Sequence, residues 1–205
     1  MKNSTKIFVL VLFLAIMDFT FSCCPPVEGV KVRYSHCKIT VSNIDNSGDY
    51  PVVVTTGSIP KNNYGIKLDI TKQEDSCTNL TSKYRFSIFT SAYACDQEDF
   101  AIFKALDTIT QIQIISLHDF NSTHPANSDV SELFYVFEEG KSSTIEEFLN
   151  NKIYNFEGNQ YDLFESILLL LNHTPDANTL QQFKVEIHLS DGRILSSTTP
   201  EIELI

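Results

Sequence analysis

Between Val30 and Val41 the chain alternates apolar and polar residues for much of Val-Lys-Val-Arg-Tyr-Ser-His-Cys-Lys-Ile-Thr-Val, the period of a strand with one buried face. The same period recurs in Tyr64–Ile70, Tyr84–Ile88, Ile109–Ile115 and Phe183–Leu189, so each of these predicts a strand. Asp191-Gly192 reads as a tight turn into Arg193-Ile-Leu195, and Ile202-Glu-Leu204 alternates once more. Polar, turn-forming stretches at Asp45–Asp49, Lys61–Asn63 and Asn121–Asp129 separate these segments. Ser166-Ile-Leu-Leu-Leu-Leu-Asn172 is apolar throughout and suits a buried strand or a buried helix; its shortness and the following Thr-Pro favour a strand. Ser143-Thr-Ile-Glu146 has the spacing of a capping box and predicts a helix over about 144–151, within a helical excursion between about 140 and 160. Glu98–Leu106 reads as a second short helix. Many short strands and few helices predict a mainly all-β fold: an antiparallel, immunoglobulin-like β-sandwich with one short helical insertion.

The N-terminus breaks this pattern. Lys2 and Lys6 precede an uncharged apolar run, Ile7 to Met17, which ends at Asp18. That order is the order of a secretory signal peptide, and the run is well short of the roughly 20 apolar residues of a membrane span. Thr20-Phe-Ser-Cys23 resembles a bacterial lipobox, in which the cysteine thiol takes up diacylglycerol and the chain is cut just before it. Thr20 stands where the strict pattern has Leu. The resemblance implies a signal peptide over 1–22, a lipid on Cys23, a short stiff tether over 23–28 that includes Cys24-Pro-Pro26, and a single β-sandwich domain over 29–205. The alternative is a secreted protein whose Asn79, Asn121 and Asn172 sequons accept glycans.

The formal net charge of -11 argues against nucleic-acid binding, because a phosphate backbone needs clustered Lys and Arg. Apart from Cys23, the cysteines are Cys24, Cys37, Cys77 and Cys95. An oxidising compartment permits up to two bridges among them, and none of the spacings is a zinc pattern. Cys77 and Cys95 bracket one strand segment and form a candidate disulfide, while Cys37 lies within an alternating strand as a candidate core residue.

Three stretches carry a wider resemblance: Ile59-Pro to Tyr64-Gly-Ile-Lys-Leu68; Ile112 to Asp119-Phe-Asn121 with His124-Pro and Ser128-Asp129; and Phe183 to Asp191-Gly-Arg-Ile-Leu195. Together they are similar to Bacteroidetes surface lipoproteins that share a domain of unknown function. The resemblance implies an exported β-sandwich, an outer-membrane lipoprotein facing the periplasm or the cell exterior, and it transfers no catalytic residue.

His118, Asp119, His124 and Asp129 are the densest set of titratable or ligating groups, in or beside one loop. Their spacing matches no zinc motif, and polar residues between strands usually only form turns. No Gly-x-Ser-x-Gly, P-loop or dinucleotide fingerprint occurs. Glu138-Glu139 and Glu146-Glu147 are sequence neighbours, and on a helix neighbours do not face one site. The expectation is therefore a non-enzymatic, lipid-anchored envelope module for binding or assembly, without metal or cofactor. Its partners would be the membrane, through the anchor, and an envelope protein or glycan, met by the loop from His118 to Asp129. The alternatives are a structural or fimbrial-type subunit and a hydrolase with an unrecognised site.

Overall fold

The computed structural model describes residues 31–74, 102–138, 140–154, 166–176 and 179–205. Two units divide the chain, Met1–Lys31 with Asn79–Ile102 and Val32–Thr78 with Phe103–Ile205, and the second holds nearly all of the described residues. The strands are β1 (Lys31–Asp45), β2 (Val52–Val54), β3 (Ser58–Ile59), β4 (Tyr64–Glu74), β5 (Ile102–Ala105), β6 (Ile109–Ser116) and β7 (Phe134–Glu138). After them come β8 (Lys141–Thr144), the helix α1 (Ile145–Tyr154), β9 (Ser166–Leu171), β10 (Thr179–Gln181), β11 (Phe183–Leu189), β12 (Ile194–Thr198) and β13 (Ile202–Leu204).

The largest sheet runs β2-β1-β4-β9-β7-β8, with β5 also paired to β1. Two three-stranded sheets have the orders β10-β13-β3 and β12-β11-β6. Pairing is antiparallel in every register described except β13 with β3. Alternation explains where the core lies. Along β11 the residues Phe183, Val185, Ile187 and Leu189 are buried, while Lys184, Glu186 and His188 between them are half-buried. Those four apolar side chains join Ile66 and Leu68 of β4, Ile114 of β6, Leu169 of β9 and Ile202 of β13 in one apolar cluster. Inner faces from all three sheets meet there, so the fold is mainly β, with antiparallel sheets in a sandwich-like arrangement. The strand order does not identify the immunoglobulin arrangement.

The helix forms where the sequence predicts one, but its cap is one residue later than the spacing at Ser143 suggested. The Thr144 hydroxyl accepts from Glu147 N at 3.1 Å, and the Glu147 carboxylate accepts from Thr144 N at 3.0 Å. Two backbone donors of the first turn are thereby satisfied reciprocally. Ile145 and Phe148 bury the inner face. The short helix read over Glu98–Leu106 is corrected where the structure describes it, because Ile102–Ala105 is β5. Pairing with β1 outweighs the local helical preference there. Tyr84–Ile88 lies outside the described residues, as do Cys23, Cys77 and Cys95. Cys37 is half-buried and disulfide-bonded, which corrects its reading as a plain core residue.

Candidate functional site

The loop joining β6 to β7 begins as β6 runs out of sheet. Its return arm folds back along β6: Asn127 N donates to Ser116 O at 2.6 Å, Ser116 N to Ser128 O at 3.0 Å, and Val130 N to Ile114 O at 2.8 Å. Asn127 takes a positive φ of 67°, a conformation that Asn tolerates better than most residues. Phe120 points inward, 2% exposed, against Phe183 at 6.3 Å between ring centroids. This aromatic plug fixes the loop to the core. On the β10 side, the buried Gln181 donates from Nε2 to Asp119 O at 3.1 Å, and Leu117 N donates to Gln182 O at 2.8 Å.

Each residue singled out from the sequence has a partner in this frame. His118 Nε2 lies 3.2 Å from Glu201 Oε1 in the β12–β13 connection. Asp119 Oδ1 accepts from Ala126 N at 2.8 Å. Asp129 Oδ1 accepts from Ser131 N at 2.9 Å and from the Ser131 hydroxyl at 2.5 Å, while its Oδ2 accepts from Gln113 Nε2 at 2.9 Å. His124 Nε2 lies 3.3 Å from Glu132 Oε1, and its Nδ1 lies 2.9 Å from Asn121 Oδ1. The two aspartates thus act as turn formers, the role these side chains commonly play. Asn121 is similarly engaged, its Oδ1 receiving Thr123 N and His124 N, so its sequon side chain folds back into the loop. Among the described residues no three His, Cys, Asp or Glu converge to hold a metal ion.

A second polar cluster was missed by sequence reasoning. Asp107, between β5 and β6, is buried together with His36 of β1. Its carboxylate contacts the His36 ring at Nδ1, lies 3.3 Å from His36 N through either oxygen, and pairs with the Arg193 guanidinium. Arg193 Nη1 donates to His36 O at 2.9 Å, and its Nε donates to Asp191 Oδ2 at 2.7 Å. The Asp191 carboxyl is held below its usual range by the Arg193 backbone N–H and then by the guanidinium; Arg193 is pushed up, chiefly by Asp191. The arrangement joins the β11–β12 turn to a register shift in β1 between His36 and Lys38, at the disulfide-bonded Cys37. Partners 71 and 86 residues apart leave no spacing signal; the predicted Asp191-Gly192 turn was the sole sequence cue. With both side chains buried, the cluster is a clamp between sheets.

Residues 36–200 match the family described as Domain of unknown function (DUF5034). No curated protein and no solved structure matches the chain.

Proposed function

We propose that this chain, which belongs to the DUF5034 family, is an exported lipoprotein that serves the cell envelope as a binding or assembly module and catalyses nothing. The observation that carries the contact reading is the β6–β7 loop: its backbone is hydrogen-bonded into a fixed form and plugged by Phe120, while Ser122, Thr123 and Ala126 are exposed. A rigid β scaffold that displays a preorganised polar loop suits recognition, because little ordering entropy is lost on contact. The disulfide at Cys37 favours an oxidising, exported location. The resemblance of Thr20-Phe-Ser-Cys23 to a lipobox assigns the anchor to Cys23, on the envelope of a Bacteroidetes-type cell.

The test has two arms. Expressed in a lipoprotein-processing bacterium, the chain should incorporate labelled palmitate, and Cys23→Ala should abolish the label. Ser122→Arg with Ala126→Arg adds bulk at exposed positions without removing any side-chain hydrogen bond described above. This pair should leave the melting temperature nearly unchanged and abolish capture of an envelope component. Unchanged capture by the folded pair would remove the loop as the contact.

A structural or fimbrial-type subunit is the second reading, favoured by β2. Val52 and Val53 are 60% and 47% exposed, and β2 pairs only with β1 among the described residues. Such an edge can accept a strand from outside. Growth of ordered polymers by the purified chain would favour this reading over the first.

A further inference from the structure

We infer that β12 is a self-association edge, at which a second copy of this chain pairs antiparallel about a two-fold axis at Ser196. This pairing depends neither on the lipid anchor nor on the β6–β7 loop.

The two ends of the β11–β12 ladder fix where the backbone groups of β12 point. Leu189 N donates to Arg193 O at 2.9 Å at one end, and Thr199 N donates to Phe183 O at 2.9 Å at the other. Facing pairs in an antiparallel ladder alternate between bonded and non-bonded. Leu195 and Ser197, opposite Ile187 and Val185, therefore bond to β11, and Ile194, Ser196 and Thr198 aim their N–H and C=O groups away from it. β12 is the outer strand of the order β12-β11-β6, and no other strand among the described residues pairs with it. The side chains of the same three residues are exposed.

The opposite edge of this sheet is closed, because the return arm of the β6–β7 loop bonds to β6 through Asn127, Ser128 and Val130. In the largest sheet, the edge strand β8 carries Lys141 and leads into α1, and β2 spans only three residues. β12 has none of these safeguards. It reads Ile-Leu-Ser-Ser-Thr, without a charge, a proline or a register shift. An unguarded edge of that kind is a template for another strand.

Symmetry selects the occupant. With Ser196 of one copy opposite Ser196 of the other, Ile194 falls opposite Thr198 in both halves, and every outward N–H and C=O of these residues meets a partner. A slip of one residue sets outward groups against groups already bonded to β11. A slip of two sets Thr198 against Gly192, whose N–H is bonded to Leu189 O, or Ile194 against Pro200, which has no N–H and whose carbonyl accepts from Asn43. The side chains agree with the symmetric register, hydroxyl facing hydroxyl at Ser196 and the Thr198 methyl facing Ile194. The nearest charges on that face, Lys184 and Glu186, lie one strand back on β11 and pair with each other at 2.6 Å. Between copies those rows are separated by three strand spacings, about 14 Å, beyond the Debye length of about 8 Å.

One short strand pair buries less than the roughly 1,000 Å² of a lasting interface, so the pairing depends on concentration. A two-fold contact also closes at two copies, unlike growth through β2.

Amide exchange and sedimentation of the full chain, from low micromolar to near-millimolar concentration, test the pairing. Protection at Ile194, Ser196 and Thr198 should rise severalfold with concentration, while Leu195 and Ser197, already bonded to β11, stay constant. The mass should approach that of a dimer and stop there. Residue-level exchange separates this pairing from association through the apolar N-terminal run. Ser196→Lys and Ser196→Glu each set like charges against each other at the axis, so each alone should fold and lose the rise. Mixed in equal amounts, the two should regain it, a recovery that pairing with a foreign strand does not produce. Protection at the three amides that ignores concentration, a rise retained by either variant alone, or no recovery on mixing overturns the pairing. Where a charged variant fails to fold, the alternating pattern in the wild type decides.

Discussion

Tyr64 shows how one polar atom can be accommodated in an apolar centre. Its ring is 1% exposed and lies against Phe183 and Phe134, while its hydroxyl donates to Asn43 Oδ1 at 2.8 Å. Asn43, itself fully buried, donates from Nδ2 to Pro200 O at 2.9 Å. Burial pushes the phenol well above its usual value of about 10, opposed in part by a hydrogen bond with Thr199. A raised folded-state value means that the neutral phenol's stabilisation is complete below about pH 10 and is lost as the pH climbs through the raised value. Tyr64→Phe leaves the Asn43 oxygen buried without this donor, a loss of about 1–3 kcal/mol at neutral pH. Denaturant titrations should therefore find the variant less stable at pH 7 and the gap narrowing above about pH 10; an equal gap at both would refute the assignment. At Asn127 the φ of 67° makes a similar distinction. Replacement by Gly should be tolerated, and replacement by Val should lower the melting temperature, because a β-branched residue is strained there.

None of these residue roles was legible in the sequence, and the reason is geometric. The alternation at Tyr64–Ile70 places Tyr64 on an inward face, but nothing in it identifies Asn43, 21 residues earlier, as the hydrogen-bond partner. His118, Asp119, His124 and Asp129 were legible as a cluster because they share one loop. Their separate destinations, Glu201, Ala126, Glu132 and Ser131, were not.

At the scale of elements, the pattern was legible where one face is buried along a whole strand. Phe183–Leu189 emerges with the predicted bounds, and Gly192, with φ 86°, makes the turn expected of Asp191-Gly192. The apolar run at Ser166 is β9, a strand flanked by β4 and β7, which accounts for its lack of alternation. Short pieces such as β2, β3 and β10 span three residues or fewer, too short to show a period. Position 65 is another element-scale feature. A Cβ there would lie 2.7 Å from Leu170 Cδ2, 2.8 Å from Leu169 O and 3.0 Å from Ile44 Cγ1. A leucine tip can swing aside, but the carbonyl belongs to β9, so β4 and β9 would have to part. Gly65→Ala is expected to cost about 1–3 kcal/mol of unfolding free energy, read from chemical denaturation. Loss of the helix cap in Thr144→Ala should cost about 1 kcal/mol by the same measurement, and a neutral result at either position would remove the corresponding contact from the account.

For the whole molecule, the cysteines connect the disulfide at Cys37 with the anchor proposed at Cys23. Five are present, so at least one sulfur lies outside the intrachain disulfides. Cys37 is bonded, and its partner is one of Cys23, Cys24, Cys77 and Cys95. A sulfur that carries diacylglycerol as a thioether cannot also form a disulfide, so acylation of Cys23 excludes it as that partner. If Cys77 pairs with Cys95 as well, Cys24 remains as the partner of Cys37. The proposed anchor and the candidate Cys77–Cys95 bridge therefore make one joint prediction. Non-reducing peptide mapping of the exported chain should recover Cys24–Cys37 and Cys77–Cys95 peptides, with an N-terminal fragment bearing lipid on Cys23. A Cys23–Cys37 peptide would eliminate the anchor. A Cys37–Cys77 or Cys37–Cys95 peptide would eliminate the second bridge and leave the anchor standing. In each case Cys37→Ser should lower stability by about 2–4 kcal/mol, the usual range for a structural bridge. Reduction should bring wild type and variant to the same stability, because it removes this bond from the one and finds it already absent in the other.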